Sequence, residues 1–318
     1  MTQHFPGLKL IQSGVPHYAW MLSFGLTLVL GYIFLHIASK VGFTDNPEQS
    51  YRKIHQQPKP LGGPVVLLGF LPIYFFNIRH PLALTISLAL VFTTGIFDDL
   101  WKVSPKLKLF LHLGAAVTLV SLIQIPTTVL GFTETLSVRV TGPVNLLLVI
   151  FWLAGGTNAI NLIDGLDGLA TGLGIITMVS LLLISTNPPI YLVIGLALAT
   201  LTGFILYNFY PANLFLGDGG SYFIGFLLSY CIMMGLSQRS PTGALEWRLL
   251  PGLLLIGVPV FDTAWAIVRR TRSKKGIMRA DDSHLHHRLY YRFNHLTAVF
   301  DIYLLQVMLN VLVIGIFY

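Results

Sequence analysis

Residues 143–168 read PVNLLLVIFWLAGGTNAINLIDGLDG, an apolar run that ends in two asparagines and two aspartates. A helix needs about 20 mostly apolar residues to cross the hydrocarbon core of a bilayer, and 143–163 supplies them. The polar end matters as much, because carboxylates and amides at the end of such a run are costly unless they pair or bind something. Working outward, nine further apolar runs fall at roughly 18–38, 62–78, 82–97, 106–125, 168–185, 189–207, 219–237, 249–269 and 298–318. The expected architecture is an all-α integral membrane protein of about ten transmembrane helices, with residues 1–318 forming a single polytopic domain.

Composition agrees. The chain is 54% hydrophobic and only 10% charged, with 20 Lys and Arg against 13 Asp and Glu. An ordinary soluble domain carries roughly a quarter charged residues, so a soluble enzyme is nearly excluded, and low hydrophobicity, the signature of disorder, is absent. The single cysteine, Cys231, rules out an internal disulfide framework. Continuous apolar runs exclude a barrel of alternating ten-residue strands. The first run lacks the basic flank of a removable signal peptide and is longer than its apolar core.

The odd-numbered connections (39–61, 98–105, 164–167, 208–218 and 270–297), with their flanks, hold 15 of the 20 basic residues, among them Arg52, Lys53, Lys102, Lys108, Arg269 and Arg288. Short connections rich in Lys and Arg stay on the cytoplasmic side, so both termini are expected outside and these five connections inside. Basic residues spread over membrane loops set orientation, and no nucleic-acid partner is expected.

The acids gather on the same side. Asp98-Asp99, Asp164-Gly-Leu-Asp167 and Gly217-Asp218 all sit at helix ends bordering those connections. Asn158 and Asn161 lie one helical turn apart just before the second pair. Oxygen-rich clusters of this kind suit a hard cation such as Mg²⁺, which keeps some water and substrate oxygens. Phe215-Leu-Gly-Asp-Gly-Gly-Ser221 opens the eighth run with glycines that allow close approach of a phosphate to exposed helix N–H groups. Ser283-His284-Leu-His286-His287-Arg288 follows a basic stretch, a combination suited to phosphate. Solvated interfacial acids, close helix packing and a basic loop that only sets orientation are the plain alternatives. Asp262 inside the ninth run reads as a brace paired with a basic residue, and His36 and His112 as hydrogen-bonding between helices or at the interface.

These motifs, in this order, resemble the polyprenyl-phosphate N-acetylhexosamine-1-phosphate transferases. Asp98-Asp99-Leu-Trp-Lys102 is similar to the family's first acidic motif. Residues 157–168 resemble its NAxNxxDGxDG signature and 215–221 its FxGDxGS signature. The His-Leu-His-His form resembles the bacterial GlcNAc-1-phosphate branch more than the related phospho-MurNAc-pentapeptide branch, because Leu285 interrupts a run of three histidines. The resemblance implies transfer of N-acetylhexosamine-1-phosphate, GlcNAc-1-phosphate foremost, from a UDP-N-acetylhexosamine to undecaprenyl phosphate with release of UMP, starting a cell-envelope polysaccharide such as lipopolysaccharide or teichoic acid. It implies Mg²⁺, with Mn²⁺ as an alternative, at Asp218 and Asn161. Asp98, Asp99, His284, His286 and His287 become catalytic candidates. Lys102, Asn158, Asp164, Asp167, Phe215 and Arg288 become substrate-binding ones. The expected location is the inner (plasma) membrane, embedded in the lipid bilayer, with a homodimer among the open assembly states.

Rival classes fit less well. An aromatic prenyltransferase would need two DxxxD-type motifs, and a CDP-alcohol phosphotransferase an Arg soon after its Asp-Gly start; neither is present. A transporter would place its acids near the bilayer midplane, whereas here they collect at one face.

Overall fold

The structure is a computed structural model that describes residues 17–38, 40–45, 59–78, 81–131, 137–241, 243–272 and 284–317. Arg52, Lys53 and His55 of the first connection, and Ser283 with Lys274, Lys275 and Arg279 before it, lie outside the described residues. Helices α1 (His17–Ile37), α2 (Gly63–Asn77), α3 (Leu82–Trp101), α4 (Pro105–Leu122), α5 (Gly142–Ile163), α6 (Leu169–Ile184), α7 (Pro188–Asn208) and α8 (Gly217–Gly235) fall on the first eight apolar runs. Proline at the first or second position starts α2, α4, α5 and α7. There its missing N–H costs nothing and its fixed φ suits the helix. Among the described residues six helices (α1, α3, α4, α5, α7 and the last, α12, His295–Phe317) are long and apolar enough to cross a membrane, while α2 and α6 are shorter apolar helices. The outer surface carries large exposed apolar side chains such as Phe76, Met21, Phe110 and Leu304, a surface suited to lipid. The protein is a mostly helical membrane protein.

The ninth apolar run departs from a single continuous span. It breaks at Ile256 into α9 (Leu249–Leu255) and α10 (Gly257–Arg272), bent by 93°. Gly257 and Pro259 explain the break, since proline removes an i→i−4 bond and glycine stiffens nothing. The backbone groups freed there find side-chain partners, as they must in an apolar interior. Gln306 of α12 donates to the carbonyls of Leu254 and Leu255 at 3.1 and 3.0 Å and accepts from Val258 N–H at 3.0 Å. Thr177 of α6 adds a donor to Leu255 at 2.7 Å.

A second departure is a four-stranded sheet in a mostly helical fold. Strands β3 (Thr127–Gly131), β4 (Ser137–Val140), β5 (Gln238–Arg239) and β6 (Leu245–Arg248) pair in the order β4-β3-β6-β5, the β3–β6 pair being parallel. They belong to the connections α4–α5 and α8–α9, so these two connections share one end of the bundle. The opposite end gathers the odd-numbered connections. Strands β1 (Thr44–Asp45) and β2 (Lys59–Pro60) pair there, and Leu61 bridges to Phe215.

Helix α8 is the axis of the fold, buried along nearly its whole length between α3, α5 and α2. Small residues let the backbones close up. A Cβ at Gly95 of α3 would collide with the backbone of Asp218 and Gly219, so only glycine lets α3 lie against the start of α8.

Candidate functional site

The start of α8 meets the end of α3 at the gathered end of the bundle. Asp99 accepts the backbone N–H groups of Asp218 and Gly219, at 2.8 and 3.0 Å, one on each carboxylate oxygen. It therefore caps α8 from a different helix, satisfying donors that a helix start leaves unpaired. Asp98 is 1% exposed and crowded. It is ion-paired with Lys108 of α4, accepts Val103 N–H at 2.8 Å and the Tyr222 hydroxyl at 3.1 Å, and its carboxyl group lies against that of Asp218. Asn161, at the end of α5, donates to Asp218 Oδ1 at 2.7 Å and to Ser221 Oγ at 3.0 Å.

Two carboxylates thus meet with one lysine and one amide beside them. The donor set fits Mg²⁺: the hard carboxylate oxygens of Asp98 and Asp218, with the Asn161 amide hydrogen-bonded to Asp218. Among the described residues no group of three or more His, Cys, Asp or Glu could cage an ion alone. Mg²⁺ commonly binds through one or two carboxylates and completes its shell with water and substrate phosphate, so a two-carboxylate site is sufficient.

A second group flanks the turn after α5. His284 Nδ1 meets Asp262 Oδ2 at 2.8 Å, and Leu285 N–H donates to Asp262 Oδ1 at 2.9 Å. This sets the start of α11 (Leu285–Arg292), where the rings of His286 and His287 lie 4.1 Å apart and those of His284 and His286 stack at 5.9 Å. His286 packs so closely on Gly165 that a Cβ there would collide with Nε2. The Asp164-Gly165 turn therefore joins the histidines to the helix carrying Asn161. Asp164 is half-buried at the C-cap of α5. Arg288 is exposed. With Asp262 it supplies the charged walls of a cavity of about 310 Å³ that is otherwise apolar, with Phe261, Trp265, Leu305 and Leu309 among its lining.

Most of the remaining residues singled out in the sequence have partners within the protein. Asn158 donates to Ala154 O at 2.8 Å and to His112 Nδ1 at 3.2 Å, and the His112 ring meets Tyr222 edge-on at 4.4 Å. His112 thus does bond between helices. Asp167 is buried and accepts Ala212 N–H at 3.0 Å, bracing the loop before α8. Phe215 is 2% exposed and packs with Leu61 and Ala212 while its carbonyl accepts Gly62 N–H at 2.6 Å. Lys102 is exposed and ends α3 in the left-handed region at φ +55°.

Two residues of the site, Tyr222 and Lys108, have no site role legible in the sequence. Tyr222 left no signal beyond its place after Ser221. Lys108 was counted only as a topology charge, though a lysine inside the run 106–125 is a signal of pairing in itself. The expected basic partner of Asp262 is His284, from another segment.

A family model described as glycosyl transferase family 4 matches residues 81–236, the stretch that holds every member of the acidic centre. The chain is 34% identical over 302 residues to the probable undecaprenyl-phosphate N-acetylglucosaminyl 1-phosphate transferase of Bacillus subtilis, covering 90% of this chain and 81% of that protein. It is 30% identical over 267 residues to the undecaprenyl-phosphate alpha-N-acetylglucosaminyl 1-phosphate transferase of Thermotoga maritima, covering 84% and 78%. It is also 30% identical over 302 residues to the phospho-N-acetylmuramoyl-pentapeptide-transferase of Streptococcus sanguinis, covering 85% and 87%.

Proposed function

Because this chain belongs to glycosyl transferase family 4, among the polyprenyl-phosphate N-acetylglucosamine-1-phosphate transferases, we propose a reaction centred on Asp98, Asp99, Asn161, Lys108 and Asp218. The chain is a sugar-1-phosphate transferase that moves GlcNAc-1-phosphate to a polyprenyl phosphate. The donor is UDP-GlcNAc, the acceptor undecaprenyl phosphate, and the leaving group UMP. The observation that carries the assignment of the site is the meeting of two carboxylates, an amide and a lysine at one end of the bundle.

An oxygen of the lipid phosphate attacks the sugar-bearing phosphorus of UDP-GlcNAc, and the bond from that phosphorus to UMP breaks. One phosphoanhydride is exchanged for another. Asp218 and Asn161 would hold Mg²⁺, which would supply charge neutralisation for the pyrophosphate. Lys108 offsets the negative charge of Asp98, which guides the lipid phosphate. His284, His286, His287 and Arg288 hold phosphate from the other side of the Asp164-Gly165 turn. The apolar cavity behind Arg288 suits the first isoprene units.

A direct attack is favoured over a covalent relay. Both Asp99 oxygens are engaged by backbone N–H groups, and Asp98 is ion-paired and hydrogen-bonded, so neither carboxylate is free to be a nucleophile. The second phosphate pKa is about 6, so the acceptor is already mostly a dianion. Enzyme stripped of polyprenyl phosphate is therefore expected to show no exchange of labelled UMP into UDP-GlcNAc. Exchange at a rate near turnover would instead require the double displacement.

The site faces the cytoplasm of the inner membrane, where nucleotide sugars are made, with ten crossings and both termini outside. The charge asymmetry of the loops supports this, as does the gathering of the odd-numbered connections at one end and the sheet at the other. In a Cys231→Ala background, single cysteines replacing Ser104 or Met278 are expected to resist an impermeant thiol reagent in intact cells, and one replacing Ser240 to react. The opposite pattern would invert the orientation.

A further inference from the structure

We infer that Asp262 is a positioning residue for the sugar-phosphate transfer, fixing which nitrogen of His284 carries the proton and pinning the start of the helix that bears His286, His287 and Arg288. Asp262 sits in α10 on the bent half of the broken span and is 8% exposed. A buried carboxylate is expensive in such a place unless its oxygens are satisfied. Both are: Oδ1 accepts Leu285 N–H at 2.9 Å and Oδ2 meets His284 Nδ1 at 2.8 Å. A carboxylate can only accept, so the proton of the neutral ring lies on Nδ1, and Nε2 is the nitrogen turned to other partners. Bracing α10 alone could be done by any well-packed apolar side chain. The two-point contact does something different, coupling ring orientation and tautomer to the bent helix across 22 residues of chain.

Asp262→Asn separates this role from simple bracing. The asparagine is the same size, but it has one acceptor oxygen and one NH₂ group. Leu285 N–H can only donate, so it takes the oxygen and leaves the NH₂ facing His284. The ring must then accept at Nδ1 and move its proton to Nε2.

The inference rests on the transferase function proposed above, and two measurements keep the two apart. Nitrogen NMR of histidine-labelled protein, with the His284 signals identified by their loss in His284→Ala, is expected to show the proton on Nδ1 in the wild type and on Nε2 in Asp262→Asn. Turnover is expected to fall at least about 30-fold in Asp262→Asn, but less than about 3-fold further when the same change is made in His284→Ala, because groups acting as a unit are not additive. A proton on Nε2 in the wild type, or equal losses in the two backgrounds, would overturn the assignment. A wild type that turns over neither lipid nor nucleotide would sink the transferase function, while the tautomer spectra would still decide the role of Asp262.

Discussion

Asp218→Asn is expected to lower turnover by at least two orders of magnitude at saturating Mg²⁺, the commonest size of effect when one key electrostatic group is removed (about 10²–10³ in rate). The substitution keeps the shape of the side chain and removes its charge. Asn161 would still meet an oxygen at that position, so the helices should assemble and the loss should be chemical. Because Asp218 is the proposed Mg²⁺ ligand, the concentration of Mg²⁺ needed for half-maximal activity should also rise. Chelation with EDTA should silence the wild type, and added Mg²⁺ should restore it. Near-normal turnover of Asp218→Asn, at an unchanged Mg²⁺ requirement, would remove Asp218 from the site.

Asp99→Ala should cost nearly as much by a different route. Asp99 touches the backbone of α8, accepting from Asp218 and Gly219 N–H. Without it two donors at a helix start lose their partner, at a stability cost of about 1–2 kcal/mol. The start of α8 is then free to shift, and displacements of about 1 Å at a reacting centre can cost about 100-fold in rate. Asp99→Ala is therefore expected to lower both the unfolding temperature in detergent and kcat, whereas Asp218→Asn lowers kcat with little change in unfolding temperature. Asp99→Asn, which keeps one acceptor, should fall between wild type and Asp99→Ala. If Asp99→Ala unfolded like the wild type and kept its kcat, Asp99 would have no part in placing Asp218.

How far the sequence could be read depended on whether a feature is local. The apolar runs became helices because long apolar stretches have few other uses, although the ninth split in two and six helices among the described residues are long and apolar enough to cross a membrane. The acidic motifs came together because each lies at a helix end bordering an odd-numbered connection. What escaped was set by distant partners. The bend at Ile256 is made tolerable by Gln306, some fifty residues away. The sheet pairs connections separated by more than a hundred residues. Tyr222, Lys108 and Asp98 lie on three different helices, α8, α4 and α3, so spacing along the sequence could not assign the first two to Asp98. Asp167 and Phe215 show the converse. Their motif position points to a nucleotide, while the contacts that the fold gives them brace the loop before α8.

The central claim is that this chain joins a sugar-1-phosphate to a membrane lipid and releases UMP. The most direct test is to incubate purified protein with labelled UDP-GlcNAc and Mg²⁺, with and without undecaprenyl phosphate, and to follow UMP and lipid-linked label together. The expected result is UMP release that requires the lipid and equals the lipid-linked GlcNAc-phosphate formed, with UDP-MurNAc-pentapeptide inert as donor. UMP release without lipid, or lipid-dependent turnover only of UDP-MurNAc-pentapeptide, would contradict it.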